Sequence, residues 1–283
     1  MSGLLGVHVS ISGSIDQAVD RARGIGCTTF QIFTRNPRGW QSKEISSKVA
    51  GDFIEKSQNC GFTSIVAHMP YLPNLASSES STYDKSVETL TSEVSRCGKL
   101  NIPYLVTHLG SHLGKGVETG IENVSSACRT ALESVDNDVM ILLENMAGTK
   151  NSVGSSFENI KVIADTIDND ERIGVCFDTC HAFAAGYDLR DEESVNGTFS
   201  EFDRVMDVSR IKVVHINDSL GELGSSRDRH EHIGIGHIGE DGFRAVLNDL
   251  RIKQLPMILE TPYDSRRGDE ENLSKVRELS KYE

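Results

Sequence analysis

Short apolar runs alternate with amphipathic segments eight times along this chain of 283 residues, and this alternation constrains the fold more than any other feature. The runs have the length and apolar content of buried strands, several of them β-branched or aromatic. Each is followed by apolar residues spaced three and four apart, as on one face of a helix. The predicted strands lie at 4–9, 28–33, 64–67, 104–107, 139–143, 174–177, 212–214 and 256–259.

Eight strand–helix pairs in this length predict an α/β protein with the TIM (β/α)8 barrel fold, as a single domain over residues 1–283. A doubly wound open sheet would usually carry a glycine fingerprint after the first strand, and residues 8–15 supply none. Ser14 and Gln17 have capping-box spacing ahead of the first helix. Leu250 continues the apolar face of the seventh predicted helix, and a tight turn is expected between Asp178 and His181.

Composition indicates an intracellular, globular protein without a membrane span. No apolar run approaches the eighteen or so residues of a transmembrane helix, and no basic segment precedes the short apolar run at the start. The six cysteines lack C-x-x-C pairs and are expected to be reduced core residues. A catalytic thiol at Cys180, beside Asp178 and His181, is a minor alternative. We expect a monomer.

Metal-ligand side chains stand at the ends of six predicted strands. In a parallel barrel these ends meet at one rim, where active sites of this architecture lie. One such side chain alone is best explained as an ordinary hydrogen-bonding group. The whole set would be costly to bury without cations. These residues are His68, His108, Glu144, Asp178, His215 and Glu260.

Three further side chains complete a candidate set of nine. His181 follows Asp178 by three residues, and Asp228 and His230 are spaced so that both project from one side of an extended segment. Five imidazoles and four carboxylates exceed the needs of one ion and fit three. Zn2+ suits this mixture better than Ca2+ or Mg2+, and Mn2+ or Fe2+ are possible substitutes.

Four long motifs resemble the signatures of endonuclease IV, the zinc-dependent apurinic/apyrimidinic endonuclease family of base-excision repair. The similarity runs from Gly6 to the last strand. The motifs are D-T-C-H-A-F-A-A-G-Y-D at 178–188, H-I-N-D-S at 215–219, G-S-S-R-D-R-H-E-H-I-G at 224–234 and I-L-E-T-P at 258–262.

The resemblance implies a barrel with three Zn2+ ions. By motif, His68, His108 and Glu144 would bind the first ion. Glu144 would bridge to a second ion, which Asp178, His215 and Glu260 also bind. The third ion would then be bound by a further set of residues, His181, Asp228 and His230.

The same resemblance implies hydrolysis of double-stranded DNA 5′ to an abasic site. The products would be a 3′-hydroxyl and a 5′-deoxyribose phosphate, with 3′-repair phosphodiesterase activity besides. Glu144 and Glu260 are the candidates to orient or deprotonate the attacking water. The matching loops T-R-N-P-R-G-W at 34–40 and H-M-P-Y-L at 68–72 imply that Arg38, Tyr71 and Leu72 contact the DNA minor groove.

One loop departs from the family pattern, and the net charge is an objection to a DNA substrate. Where the family usually has E-N-T-A-G-Q-G, this chain has Met146, Thr149 and Lys150 in the loop after Glu144. The net charge of -13 is also unfavourable for DNA. However, four ligand carboxylates and three divalent ions would leave the site itself at about +2.

Other functions stay open at this point. A sugar isomerase or epimerase of the xylose-isomerase-like barrel type also gathers carboxylates and histidines at strand ends. It would not need the Asp228–His230 pair or the Tyr71–Leu72 loop. A non-enzymatic scaffold that binds damaged DNA would need an incomplete ligand set, and none of the nine positions is missing.

Overall fold

The computed structural model describes residues 3–167 and 170–280, and eight parallel strands form its centre. Each strand overlaps the apolar run predicted for it, so the eight-strand pattern is confirmed. A separate antiparallel pair, β8 (Asp218–Ser219) with β9 (His230–Glu231), was not predicted. The barrel strands are β1 (Leu5–Val7), β2 (Gln31–Phe33), β3 (Val66–His68), β4 (Tyr104–Thr107), β5 (Met140–Glu144), β6 (Ile173–Asp178), β7 (Ile211–His215) and β10 (Met257–Leu259).

The sheet runs in the order β1-β10-β7-β6-β5-β4-β3-β2 and curves into a nearly closed TIM barrel. Neighbouring strands along this order pair over two to four residues. The two end strands meet through an isolated parallel bridge between His8 and Gln31. At this seam the backbones of the two segments approach so closely that a Cβ on Gly6 would overlap the carbonyl oxygen of Thr29. Only glycine fits there.

Helices follow the strands and pack their apolar faces against the outside of the sheet. Eight phenylalanines are among the largest fully buried side chains of this outer core, including Phe177 and Phe243. The described helices are α1 (Gln17–Gly24), α2 (Ser47–Asn59), α3 (Ser80–Lys99), α4 (Val117–Ser134), α5 (Phe157–Thr166), α6 (Thr179–Ala185), α7 (Glu192–Met206), α8 (Gly239–Asn248) and α9 (Asp269–Leu279). Among the described residues, no helix is both long enough and apolar enough to cross a membrane.

Three local predictions about helices were wrong. Helix α1 begins at Gln17 instead of just after Ser14, whose hydroxyl bonds to Asp16, so no capping box forms. Leu250 lies beyond the end of α8 and is 78 % exposed, because α8 stops at Asn248. The expected tight turn after β6 is instead the start of the short helix α6.

A second, smaller apolar cluster fills the inside of the barrel. It takes one side chain from each of six strands, and all six are fully buried. Since successive side chains on a strand point to opposite faces, the residue two positions further along each strand also points inward, one layer nearer the carboxyl rim. The six cluster residues are Val66, Val106, Leu142, Cys176, Val213 and Ile258.

Candidate metal centre

Alternate side chains of each strand point into the barrel, and this alternation also brings six predicted ligands together. Each of the six lies two residues after a member of the inner apolar cluster, so it forms the next inward layer at the carboxyl rim. The strand register therefore brings together side chains that are up to 192 residues apart in sequence. They are His68, His108, Glu144, Asp178, His215 and Glu260.

Glu144, at the end of β5, is the centre of this layer. It is fully buried. Its Oε2 atom lies 3.2 Å from Nε2 of His68 and 3.2 Å from Nε2 of His108, and its Oε1 atom lies 3.1 Å from Nδ1 of His215. The two carboxylate oxygens therefore face two different groups of imidazoles, which is the arrangement a bridging ligand needs.

A second group surrounds His215 at the end of β7. Its Nδ1 atom lies 3.3 Å from Oε2 of Glu260 and 3.9 Å from Oδ2 of Asp178, besides its contact with Glu144. One ligand atom from each of these four residues lies within 4.8 Å of the others, as do those of His68, His108 and Glu144. These two groups contain the same residues as the two sets that the family resemblance implied for the first two ions.

His181 joins the cluster because Asp178 begins helix α6. The Asp178 carboxylate caps the helix by accepting the backbone N–H of His181 at 2.6 Å. Gly186 ends the helix in the left-handed conformation, with φ of 112°. In D-T-C-H-A-F-A-A-G, therefore, the carboxylate both starts the helix and sets the imidazole in its first turn.

The third group includes His230 from the hairpin strand β9. Ligand atoms of Asp178, His181 and His230 lie within 4.8 Å of one another. Asp228 was expected in this group, and its Oδ1 atom lies 3.2 Å from Nε2 of His181 and 3.6 Å from Nε2 of His230. Asp178 is thus positioned between the second and third groups.

Hydrogen bonds fix which nitrogen of each imidazole is available. His68, His181 and His230 each place Nδ1 against a backbone carbonyl oxygen, at 2.7, 2.9 and 3.1 Å. A carbonyl only accepts, so these Nδ1 atoms carry the hydrogen and each Nε2 atom is free to bind an ion. Among the described residues, the buried Nε2 atoms of His181 and His230 have no hydrogen-bond partner. Such unpaired nitrogens facing carboxylates fit divalent cations.

The charges in the cluster shift its pKa values as closely packed acids and bases require. Burial alone would raise the pKa of Glu144, but His108 and His215 outweigh it and hold that pKa well below its usual range. Burial likewise opposes protonation of His181, but Asp178 and Asp228 raise its pKa well above the ordinary value. Burial lowers the pKa of His8, at the edge of the cluster, to about 4. Without metal, protons would therefore neutralise the cluster.

Three buried amides that the sequence reasoning missed hold the ligands in place. Gln31 contacts His215 and Glu260, at 2.8 and 2.7 Å. Asn217 donates to Oδ2 of Asp178, and Asn145 exchanges two hydrogen bonds with the backbone of Asp178. Asn145 and Asn217 follow predicted ligands by one and two residues, so proximity was an available signal. Gln31 could have been noticed as a polar residue inside an apolar run.

The predicted DNA-contact residues stand beside this cluster. Tyr71 is 65 % exposed, its ring packs edge-on against Phe33 at 5.0 Å, and its N–H donates to the carbonyl of Pro37. Leu72 is 40 % exposed, and Arg38 is exposed as well. A cleft of about 340 Å³ separates Tyr71 from the cluster. It is lined by His8, Phe33, His68, Tyr71, His108, His181, Asp228, His230, Leu259, Glu260, Thr261 and Asp269.

Two other sequence observations have structural answers. Cys180 is buried, and burial raises the pKa of its thiol to about 12, so its environment disfavours the thiolate that a nucleophile requires. Met146 and Thr149 line a separate cavity of about 280 Å³ under the Tyr71–Leu72 loop, and Lys150 is exposed. The unusual loop therefore lies beside the cluster, and Glu144 contacts His68, His108 and His215.

Comparison with known proteins places this geometry in a family. The sequence model of the xylose isomerase-like TIM barrel family matches residues 19–281. The chain is 56% identical over 278 residues to a probable endonuclease 4 of Methanoculleus marisnigri, covering 98% of this chain and 99% of that one. It is 44% identical to a probable endonuclease 4 of Chloroflexus aurantiacus, with 97% of each chain covered.

Solved structures give the same result. The crystal structure of endonuclease IV from Thermus thermophilus superposes with a TM-score of 0.86 at 35% identity, covering 97% of this chain and 98% of that one. A D-tagatose 3-epimerase-like protein superposes with a TM-score of 0.71 at 22% identity, over 97% of this chain and 95% of that one, which shows the shared barrel fold alone. The chain therefore belongs to the endonuclease 4 family of xylose isomerase-like TIM barrel proteins.

Proposed function

We propose that this chain is a metal-dependent apurinic/apyrimidinic endonuclease of DNA repair. It hydrolyses the phosphodiester 5′ to an abasic site in double-stranded DNA, leaves a 3′-hydroxyl and a 5′-deoxyribose phosphate, and removes 3′-blocking groups at the same site. The observation that carries the proposal is the convergence of nine histidines and carboxylates, with Glu144 among them, beside the exposed loop of Tyr71 and Leu72.

We further propose that the cluster holds three Zn2+ ions. His68, His108 and Glu144 would hold one ion, and Glu144 with Asp178, His215 and Glu260 a second. The third would be held by His181, His230 and Asp228, with Asp178 within reach. The imidazole-rich donor set and the unpaired Nε2 atoms support this proposal, and Mn2+ or Fe2+ could replace zinc at one or more positions.

Such ions supply Lewis acidity: they lower the pKa of water and offset the charge of a phosphodiester. Glu144 and Glu260 would orient the attacking water and accept its proton at a carboxylate oxygen. Oε1 of Glu260 accepts a hydrogen bond from Gln31, which leaves Oε2 to face the cluster. Tyr71 and Leu72 would fill the space vacated in the duplex when the abasic nucleotide is extruded, and Arg38 would contact the backbone. We also expect the protein to act as a monomer inside the cell.

A nicking assay tests the function directly. A labelled duplex with one abasic site should be cut on the 5′ side of that site, leaving a 3′ end that a DNA polymerase extends. Prolonged chelation should abolish the cut and Zn2+ should restore it. An identical duplex without the lesion is the control. An uncut abasic duplex, with Zn2+ present, would reject the proposed activity.

The sugar isomerase or epimerase alternative has weaker support. The likeness to the epimerase-like barrel extends only to the fold, and that reaction has no use for the exposed pair Tyr71 and Leu72 on the rim. Conversion of ketose sugars by the zinc-loaded protein, without nicking, would favour this alternative.

A further inference from the structure

Gln31 occupies an unexpected position, since it is a fully buried amide inside the barrel at the seam between β1 and β2. Its side chain makes three contacts. Oε1 lies 2.8 Å from Nε2 of His215, and Nε2 lies 2.7 Å from Oε1 of Glu260 and 3.1 Å from Nδ1 of His8. Every polar hydrogen and the oxygen of this amide face a partner in or beside the metal centre.

Chemistry allows only one orientation of this amide. The carboxylate of Glu260 accepts hydrogen bonds and cannot donate them, so the amide NH2 must face it. The second N–H of that group then points to Nδ1 of His8, which accepts it. Oε1 is consequently turned to His215 and can only accept. Nε2 of His215 must therefore carry a hydrogen, and when an ion is bound Nδ1 offers it the lone pair.

His215 differs in this respect from three other imidazoles of the cluster. His68, His181 and His230 donate from Nδ1 to carbonyl oxygens, and so offer Nε2. Nδ1 of His215 instead faces Glu144 and Glu260, at 3.1 and 3.3 Å. Among the described residues, the hydrogen-bond partner of its Nε2 atom is the side chain of Gln31 and not a backbone carbonyl.

We propose that Gln31 is a positioning residue of the metal centre, which presents Nδ1 of His215 and the carboxylate of Glu260 to one ion. This inference rests on the proposed metal centre and does not depend on the nuclease reaction. Partners that orient ligands in this way typically change metal affinity by about 10–100-fold when they are removed.

The test compares Gln31→Met with the parent protein and with a matched control. Met has a similar volume but no hydrogen-bonding hydrogen, so both His215 and Glu260 would lose their partner. The control is Thr29→Val, which removes a partly buried hydrogen bond from the Thr29 hydroxyl to the carbonyl oxygen of Ser64. Thr29 is itself buried and lies two residues before Gln31. Each protein is loaded with Zn2+ alone, and ion release to a chromogenic chelator is followed in time.

We expect Q31M to lose one ion about 10–100-fold faster than the parent, with the other ions and T29V unaffected. Nitrogen NMR of the zinc-loaded parent should show His215 with its hydrogen on Nε2, whereas His68, His181 and His230 carry theirs on Nδ1. In Q31M the His215 N–H should exchange faster with water. Circular dichroism checks folding, and if Q31M does not fold, Gln31→Asn withdraws the amide by one methylene and gives the same comparison.

Equal release from Q31M and the parent, equal acceleration in T29V, or a hydrogen on Nδ1 of His215 would each overturn the role of Gln31. A parent protein that binds no Zn2+ would instead reject the proposed metal centre and this inference with it. A loaded parent that does not nick abasic DNA would reject only the proposed reaction.

Discussion

At the scale of single residues, Glu144 and Glu260 have unequal surroundings although both belong to the metal centre. Glu144 is completely buried and contacts four imidazoles, whereas Glu260 stands at the wall of the cleft and is partly exposed. Burial would raise the pKa of Glu260, but His215 reverses this and holds it well below the usual range. A carboxylate that is ionised and faces the cleft is suited to accept a proton near the substrate.

Glu260→Gln should therefore separate catalysis from binding. The amide keeps the size of the side chain but removes its basicity, so we expect the rate of nicking to fall by at least about a hundredfold. Affinity for abasic DNA, measured by fluorescence anisotropy, should stay within about threefold of the parent. A nicking rate near that of the parent would refute the role of Glu260.

Leu72→Ala probes the exposed loop. Loss of an apolar wedge should weaken binding to abasic DNA by about 1–3 kcal/mol while the zinc content is unchanged. Leu250→Ala is the control, since Leu250 is even more exposed but precedes β10, at the amino ends of the strands. Anisotropy with abasic and intact duplexes measures both variants. Equal losses in the two variants would contradict a specific contact at Leu72.

At the scale of secondary-structure elements, a buried carboxylate organises the segment that carries the third group of ligands. Asp218 of β8 accepts backbone N–H groups from Ser219, Gly234, Gly236, Ile238 and Gly239, at 2.8 to 3.4 Å. Gly234 has φ of +79°, and a Cβ on Gly236 would overlap the Ser219 carbonyl. Since Ser219 pairs with His230, the loop and the hairpin are held together.

Asp218→Asn should loosen this arrangement. The new NH2 group would face backbone donors, so one or more buried hydrogen bonds would be lost, at about 1–3 kcal/mol of unfolding free energy. Urea denaturation measures the change. Asp52→Asn, on the exposed side of α2, is the control and should change stability by less than about 0.5 kcal/mol. We also expect D218N to release zinc faster, and an unaltered stability would show that the loop is held by other contacts.

The elements also show what sequence could and could not predict. Six rim residues were predictable because a strand's apolar run fixes where its carboxyl end lies. Helix α6 was missed because seven residues are too few to reveal a helical pattern of apolar positions, although Asp178 and Gly186 carry its cap signals. The hairpin β8–β9 has two-residue strands without periodicity. The contact between Gln31 and His215 depends on barrel closure, which no local pattern encodes.

At the scale of the whole molecule, the dense cluster of acids and bases makes stability depend on pH and metal together. In the metal-free protein, burial opposes charge on His108 and His181, yet the neighbouring carboxylates raise both pKa values. Stability from a raised histidine pKa is present below the ordinary value of 6.5 and is lost as pH rises through the folded value. Stability from the lowered pKa of Glu144 is present above 4.5 and is lost as pH falls.

We therefore expect the metal-free protein to be most stable between about pH 4.5 and 6.5 and to weaken towards pH 8. Zinc should reverse this trend, because imidazoles bind ions only after losing a proton. The added stability should increase from pH 6 to 8 and reach about 4 kcal/mol at a thousandfold excess over Kd. Urea midpoints with and without Zn2+ measure both curves, and parallel curves would contradict the coupling.

The seam between β1 and β2 has a mechanical consequence. Among the described residues, β1 and β2 form no ladder: an isolated bridge of His8 with Gln31 and a few backbone hydrogen bonds at Leu5 and Val9 join them. The side chain of Gln31, however, reaches across to Glu260 after β10 and to His215 on β7. Amide groups near this joint should accordingly exchange with deuterium sooner than those of β5 and β6, and zinc uptake should slow that exchange most there. Side-chain contacts to the metal centre would then close the barrel at this seam as much as backbone hydrogen bonds do.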